Sequence, residues 1–144
     1  MGRPATWSRL VPELLVSDFD VSLSFYTEVL GFTVSYDRPE DRFAFLDMEG
    51  AQLMIEQADG TWLTGPMERP YGRGINLQIE VTAIATILDR LAARAWSLYR
   101  QPSDDWYRCG DVLLGNRQFL VQCPDGYLLR FFEDLGQRAA EPKP

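Results

Sequence analysis

One pattern occurs twice in this chain and limits its fold more than any other feature: a strand, then a helix, then further short strands. The two helix starts, at Asp18 and Thr82, lie about 64 residues apart. Self-similarity at such a spacing marks two copies of one supersecondary unit, although the halves share little sequence. In the first copy, Leu10, Pro12, Leu14 and Val16 alternate with Val11, Glu13 and Leu15, which predicts a strand over 9–16. Asp18 is the expected helix cap, and Val21, Phe25 and Val29 share one side of the helix. Gly31 ends it, at a position where a positive φ is cheap for glycine. Strands are expected at 32–36, 42–47 and 52–57, separated by turn-forming stretches.

Glycines at 60, 65, 72 and 74 and prolines at 66 and 70 make 59–74 a connection, with Trp62 and Tyr71 standing out from its polar character. The pattern then restarts. Ile75, Leu77, Ile79 and Val81 alternate with Asn76, Gln78 and Glu80 in a strand. Thr82 is the expected cap of a helix running to about Arg94, with Ile84, Ile87, Leu88 and Leu91 on its buried side. Strands follow at 97–101, 118–123 and 127–133, the last two joined by a tight Pro124-Asp125-Gly126 turn. Residues 1–7 and 136–144 read as frayed ends. The expected organisation is a first module at 8–59, a connection at 60–74 and a second module at 75–135, together one structural domain.

Each module owns one helix, enough to cover one face of one sheet. The opposite faces carry Glu13, Glu56, Asn76, Gln78, Glu80 and Arg130 among apolar neighbours, and such a face reads either as a solvated surface or as the wall of a cleft. The chain contains no histidine, which removes the commonest transition-metal ligand and the usual neutral-pH base and excludes nucleophile–histidine–acid triads. Its two cysteines, Cys109 and Cys123, form neither a metal cluster nor a disulfide framework and read as free thiols of a reducing compartment. With 14 basic against 21 acidic residues the net charge is −7, which disfavours nucleic acid and favours cationic or neutral small partners. Neither a signal peptide nor a membrane-length apolar run is visible, so the expected location is cytoplasmic.

Several segments resemble the glyoxalase/bleomycin-resistance/extradiol-dioxygenase (vicinal oxygen chelate) superfamily. These are Val11-Pro12-Glu13-Leu14-Leu15-Val16-Ser17-Asp18-Phe19-Asp20 with Ser24-Phe25-Tyr26 and Leu30-Gly31-Phe32, then Gly50-Ala51-Gln52-Leu53-Met54-Ile55-Glu56, and finally Pro124-Asp125-Gly126-Tyr127-Leu128-Leu129-Arg130. The resemblance spans about residues 8–135. It implies an α+β fold of two βαβββ modules, whose curved mixed sheets enclose a cleft completed in a homodimer. The superfamily's enzymes hold a divalent metal at positions that correspond here to Val11, Glu56, Asn76 and Arg130. Only Glu56 is a strong ligand among these, and Arg130 brings a fixed positive charge expected to pair with it, so no metal or cofactor is expected. A carboxylate-only site would require Glu13, Glu56 and Glu80 to converge.

The resemblance is nearest to the bleomycin-resistance proteins, which bind a cationic glycopeptide without altering it. The chain departs from them in having Val112-Leu113-Leu114-Gly115-Asn116 where they place a tryptophan–glycine pair, and Cys123 where they place an aspartate. The expected function is non-catalytic binding that sequesters a cationic or aromatic small molecule, with a bleomycin-like molecule as one candidate. Glu13, Glu56 and Glu80 would supply charge, Asn76 and Gln78 hydrogen bonds, and Arg130 a contact to Glu56 or to an anionic ligand group. Tyr36, Trp62, Trp106 and Tyr107 are the candidate aromatic platforms. The alternatives are a metal-dependent or metal-free lyase, isomerase or dioxygenase of the same superfamily, or a dimeric recognition module.

Overall fold

The computed structural model describes residues 4–142; the outermost parts of the two expected frayed ends lie outside them. Two four-stranded mixed sheets form an α+β fold of two like modules. In module 1 the strands are β1 (Glu13–Val16), β2 (Thr33–Arg38), β3 (Phe43–Met48) and β4 (Ala51–Gln57), in the order β1-β4-β3-β2. In module 2 they are β5 (Asn76–Glu80), β6 (Arg100–Cys109), β7 (Val112–Gln122) and β8 (Leu128–Ala139), in the order β5-β8-β7-β6. The first and fourth strands of each module run parallel and the remaining pairs antiparallel. A parallel pair needs a crossover, which α1 (Phe19–Ser24) and α2 (Ala85–Ala93) supply.

One apolar core holds the helices against both sheets. Leu14, Val16, Ala44, Leu46, Leu53 and Ile55 of module 1 join Ile79, Phe119, Val121, Leu129 and Phe131 of module 2 around Phe25, Tyr26, Ile87 and Leu91. Asp18 caps α1 through its side chain, as expected. The helix then widens into a π-helical turn, Phe25–Leu30, in which the N–H of Gly31 reaches back to the carbonyl of Tyr26. The extra residue per turn rotates the buried stripe. Phe19, Ser22, Phe25, Tyr26, Val29 and Leu30 are buried, whereas Val21, expected in the stripe, is exposed. Gly31 has φ +100°, and a Cβ there would strike the guanidinium of Arg90 from α2.

The modules cap each other. Glu49, in the β3–β4 turn, accepts hydrogen bonds from the N–H and hydroxyl of Thr82, at the start of the second crossover. Asp125, in the β7–β8 turn, accepts the same pair of bonds from Ser17, at the start of the first. Arg69 adds its guanidinium to Asp125 and Ser17. Thr82 is therefore not the cap of α2. The helix begins three residues later, and its first turn is served by the carboxylate of Glu133, which receives the Ile84 N–H.

The expected strand at 97–101 is instead Arg100–Cys109, β7 starts six residues before 118, and β8 continues to Ala139. Because β5 pairs only with Leu128–Phe132, the strands β6, β7 and β8 run on beyond it as a three-stranded arm. Residues 136–139, expected to fray, form its edge.

Candidate functional site

Strand alternation places every second residue on the face away from the helices. In module 1 the register aligns two rows across that far face. One row is Glu13, Met54, Phe45 and Tyr36; the next is Leu15, Glu56, Phe43 and Arg38. The bulge between Val34 and Tyr36 turns Tyr36 onto this face. Phe43 and Phe45 are buried there although no helix covers them. Their cover is aromatic and local. Tyr36 lies 5.3 Å from Phe45 and 5.7 Å from Phe43, the Arg38 guanidinium sits 3.9 Å above the Phe43 ring, and Trp7 packs on Phe45 at 4.7 Å and over Tyr36 at 6.1 Å. Trp7, expected to fray, is thus docked. Buried Gln52 holds its strap by accepting the Ser8 N–H and donating to the Thr6 carbonyl.

At the β1–β4 end of these rows the carboxyls of Glu13 and Glu56 meet in a hydrogen bond. Two carboxylates in contact cannot both ionise cheaply. Loss of solvent, with Glu56's hydrogen bond and charge next, pushes the Glu13 carboxyl up to about 7, against a smaller downward pull from Arg38. Of the pair, Glu13 borders a cavity of about 530 Å³, whose floor is Glu13 and Leu15 and whose wall is the 62–67 stretch of the connection with Ile75 and Tyr127. Trp62 lines this cavity and is itself 80% exposed, at a positive φ of 61°. Tyr127 closes the corner through its hydroxyl, which donates to the Leu15 carbonyl.

Asn76, Gln78 and Glu80 lie exposed on β5, on the far face of module 2, opposite Leu128, Arg130 and Phe132. Beside them Gln118, only 1% exposed, donates to Asp105 and to the Tyr107 hydroxyl. Bonds from Ser103 and Gln118, with Arg100 nearby, hold the Asp105 carboxyl below its usual range. Trp106 points to the opposite face from Tyr107. It packs on Gly115, where an added Cβ would lie 2.6 Å from the ring, under the Arg138 guanidinium at 4.1 Å.

The expected residues fall into two groups. Glu13, Tyr36, Glu56 and Trp62 gather on module 1, and Asn76, Gln78, Glu80, Tyr107 and Arg130 lie on module 2. Among the described residues no hydrogen bond or ion pair links the groups. The expected Glu56–Arg130 pair does not form: Glu56 meets Glu13, the cation that reaches this pair is Arg38, and the buried Nε of Arg130 has no partner. Sequence reading missed Trp7, Arg38, Phe43, Phe45 and Gln52. The run Phe43-Ala44-Phe45-Leu46, apolar at every position, was the available signal that both faces of β3 are covered.

A metal of the kind the fold family uses does not fit these residues. Among the described residues no three Asp, Glu or Cys side chains come together, and Glu80 lies in the other sheet from Glu13 and Glu56. Glu13 and Glu56 together offer two carboxyls beside the Arg38 guanidinium, fewer than the three protein ligands such a metal site needs. No helix of the described residues is long and apolar enough to cross a membrane.

The model of the glyoxalase/bleomycin resistance protein/dioxygenase superfamily matches residues 9–131. A superfamily member from Vibrio splendidus 12B01 is 37% identical over 87% of this chain and 97% of its own, with a TM-score of 0.41. A glyoxalase/bleomycin resistance protein/dioxygenase from Nocardioides is 27% identical over 97% and 92%, with a TM-score of 0.57. TioX from Micromonospora sp. ML1 is 22% identical over 90% and 100%, with a TM-score of 0.68, a likeness of fold. No curated protein matches. The chain belongs to the glyoxalase/bleomycin resistance protein/dioxygenase superfamily.

Proposed function

We propose that this protein is a non-catalytic binder that sequesters a cationic small molecule with an apolar body, working in the cytoplasm as a homodimer. The observation that carries the reading is Glu13 on the floor of the cavity under the 62–67 stretch, with the Glu56 carboxyl against it. A volume of about 530 Å³ suits a drug-sized molecule, and its mainly apolar walls would take the body of such a ligand. The carboxyls would take its ammonium or guanidinium group, aided by the acidic charge of the whole chain. A bleomycin-like glycopeptide is one candidate. Glu56 lacking the expected Arg130 partner strengthens the cation reading, because its charge is left for a ligand.

The test is isothermal titration with metal-free and copper-loaded bleomycin and with simple arylalkyl amines between pH 6 and pH 8.5. Amine affinity should rise as pH passes about 7, where Glu13 loses its proton, and Glu13→Gln should abolish that rise. A flat pH profile, or no heat with any of these ligands, refutes the reading.

One observation favours a second reading. A carboxyl titrating near 7 is matched to proton transfer at neutral pH, so Glu13 suits a metal-free general base of a lyase or isomerase. Turnover of carbon acids that Glu13→Gln eliminates, and that chelators leave intact, would establish it over simple binding.

A further inference from the structure

Three phenyl-type rings on a sheet face without a helix to cover them require an explanation. Phe43, Phe45 and Tyr36 form a continuous aromatic floor on the far face of module 1, and what lies on it is the chain's own Trp7. We propose that this floor is the seat for a planar aromatic ring of the ligand, and that Trp7 is a displaceable plug that fills it until the ligand arrives. The proposal rests on the cation reading above and names the ligand's ring system and how the site is held closed.

Four observations carry it. First, the seat already accepts a flat bicyclic ring. The Trp7 indole lies 4.7 Å from Phe45 and within 23° of parallel to Tyr36, at spacings typical of favourable aromatic pairs. Second, the plug sits on a segment outside the regular structure. Residues 4–12 form no helix or strand, Trp7 keeps 38% of its surface exposed, and beside Trp7 the backbone bonds of Thr6 and Ser8 go to a side chain, Gln52, rather than into a sheet ladder. Third, Leu10, between strap and β1, is 85% exposed, so its side chain does not anchor the segment that would have to swing. Fourth, floor and carboxyl pair share the same cross-sheet rows. Phe45 lies two strands from Glu13, and Phe43 one strand from Glu56. With strands spaced about 4.8 Å apart, Phe45 and Glu13 are about 10 Å apart, so a two- or three-ring aromatic cation spans from stack to carboxyl. A seat closed by its own side chain weakens apparent affinity by the fraction of time it is open, so removing the plug should tighten binding.

The probe is 9-aminoacridine, flat and cationic, with acridine as its neutral counterpart at pH 8. Titration calorimetry on the full chain should give Trp7→Ala about tenfold tighter binding of 9-aminoacridine than wild type. Ser8→Pro removes the N–H that Gln52 accepts without altering the floor, and should tighten binding in the same direction if Trp7→Ala proves unstable. In protein labelled with 5-fluorotryptophan, the Trp7 resonance, identified through Trp7→Phe, should gain a solvent isotope shift at saturation with 9-aminoacridine. Binding that is equal or weaker in both variants, no binding of either acridine, or a Trp7 resonance that stays protected in the complex overturns the proposal. If both acridines bind and Trp7→Ala tightens both, while Glu13→Gln changes neither, the plug stands and the cation reading falls. If 9-aminoacridine depends on Glu13 but not on Trp7, the reverse holds.

Discussion

Phe45 and Gln118 are both buried on the third strand of their modules and both face away from the helices. Around Phe45 the neighbours are rings, closed over by Trp7. Around Gln118 they are a carboxylate and a phenol, each tied to its side-chain amide. The same backbone framework thus presents an oily face in one module and a hydrogen-bonded face in the other. What differs is the third strand's side chain and whether a strap lies on it. In a duplicated fold, the helix-side faces must match because they share one core, while the far faces are free to diverge.

The largest effect that would sharpen this contrast is truncation at these two positions. Phe45→Ala should cost about 3–5 kcal/mol in urea unfolding, because it empties a packed aromatic site. Gln118→Ala should cost about 1–2 kcal/mol, because water can serve the half-exposed groups it leaves behind. Equal losses would mean that the far face of module 2 is packed as tightly as that of module 1.

The cross-module caps give the next largest contrast. Asp125 is 2% exposed and serves Ser17 and Arg69, whereas Glu49 is exposed and serves Thr82 alone. Asp125→Ala should cost about 2–3 kcal/mol through unsatisfied buried donors, and Glu49→Ala about 1 kcal/mol.

Much of this architecture was legible beforehand. Asp18, Gly31, Pro124-Asp125-Gly126 and the alternation of Ile75–Val81 each fix local geometry through one or two side chains, so they announce themselves in sequence. The arm did not, because Gly115 and Gly136 fall inside its strands and its apolar residues do not alternate cleanly. Gly115 makes sense only once Trp106 is seen lying on it. On the candidate site, Glu13 and Glu56 were visible as polar residues on an apolar strand. Their contact was not, since it depends on the parallel register of β1 and β4, set by a crossover of some forty residues. Trp7 was missed because docking of a terminal segment leaves no periodicity.

Two smaller effects refine the comparison. Gly115→Ala should cost about 1–2 kcal/mol by forcing Trp106 off the sheet, with no counterpart for Gly50→Ala, which meets nothing within 4 Å beyond its own strained φ. Glu13→Gln should act through pH. The folded-state value of about 7 lies above the ordinary glutamate value of 4.5, so the folded form holds more protons between these limits and the wild type loses stability as pH rises across them. Since Glu13 is exposed, solvent screening reduces the gain in the variant to about 1 kcal/mol at pH 8, with none at pH 4. Thermal melts at both values check the sign.

The exchange of caps between the two turns carries an evolutionary corollary. Ser17 and Thr82 each hand their backbone donor to an acid encoded in the other half of the gene. A severed half would therefore be missing an anchor that only its sibling encodes, and the two halves, supplied as separate polypeptides, should recover one another. A single module of this kind would find the same anchor in a second copy of itself, so the contacts now made within one chain are of the kind two identical copies could trade.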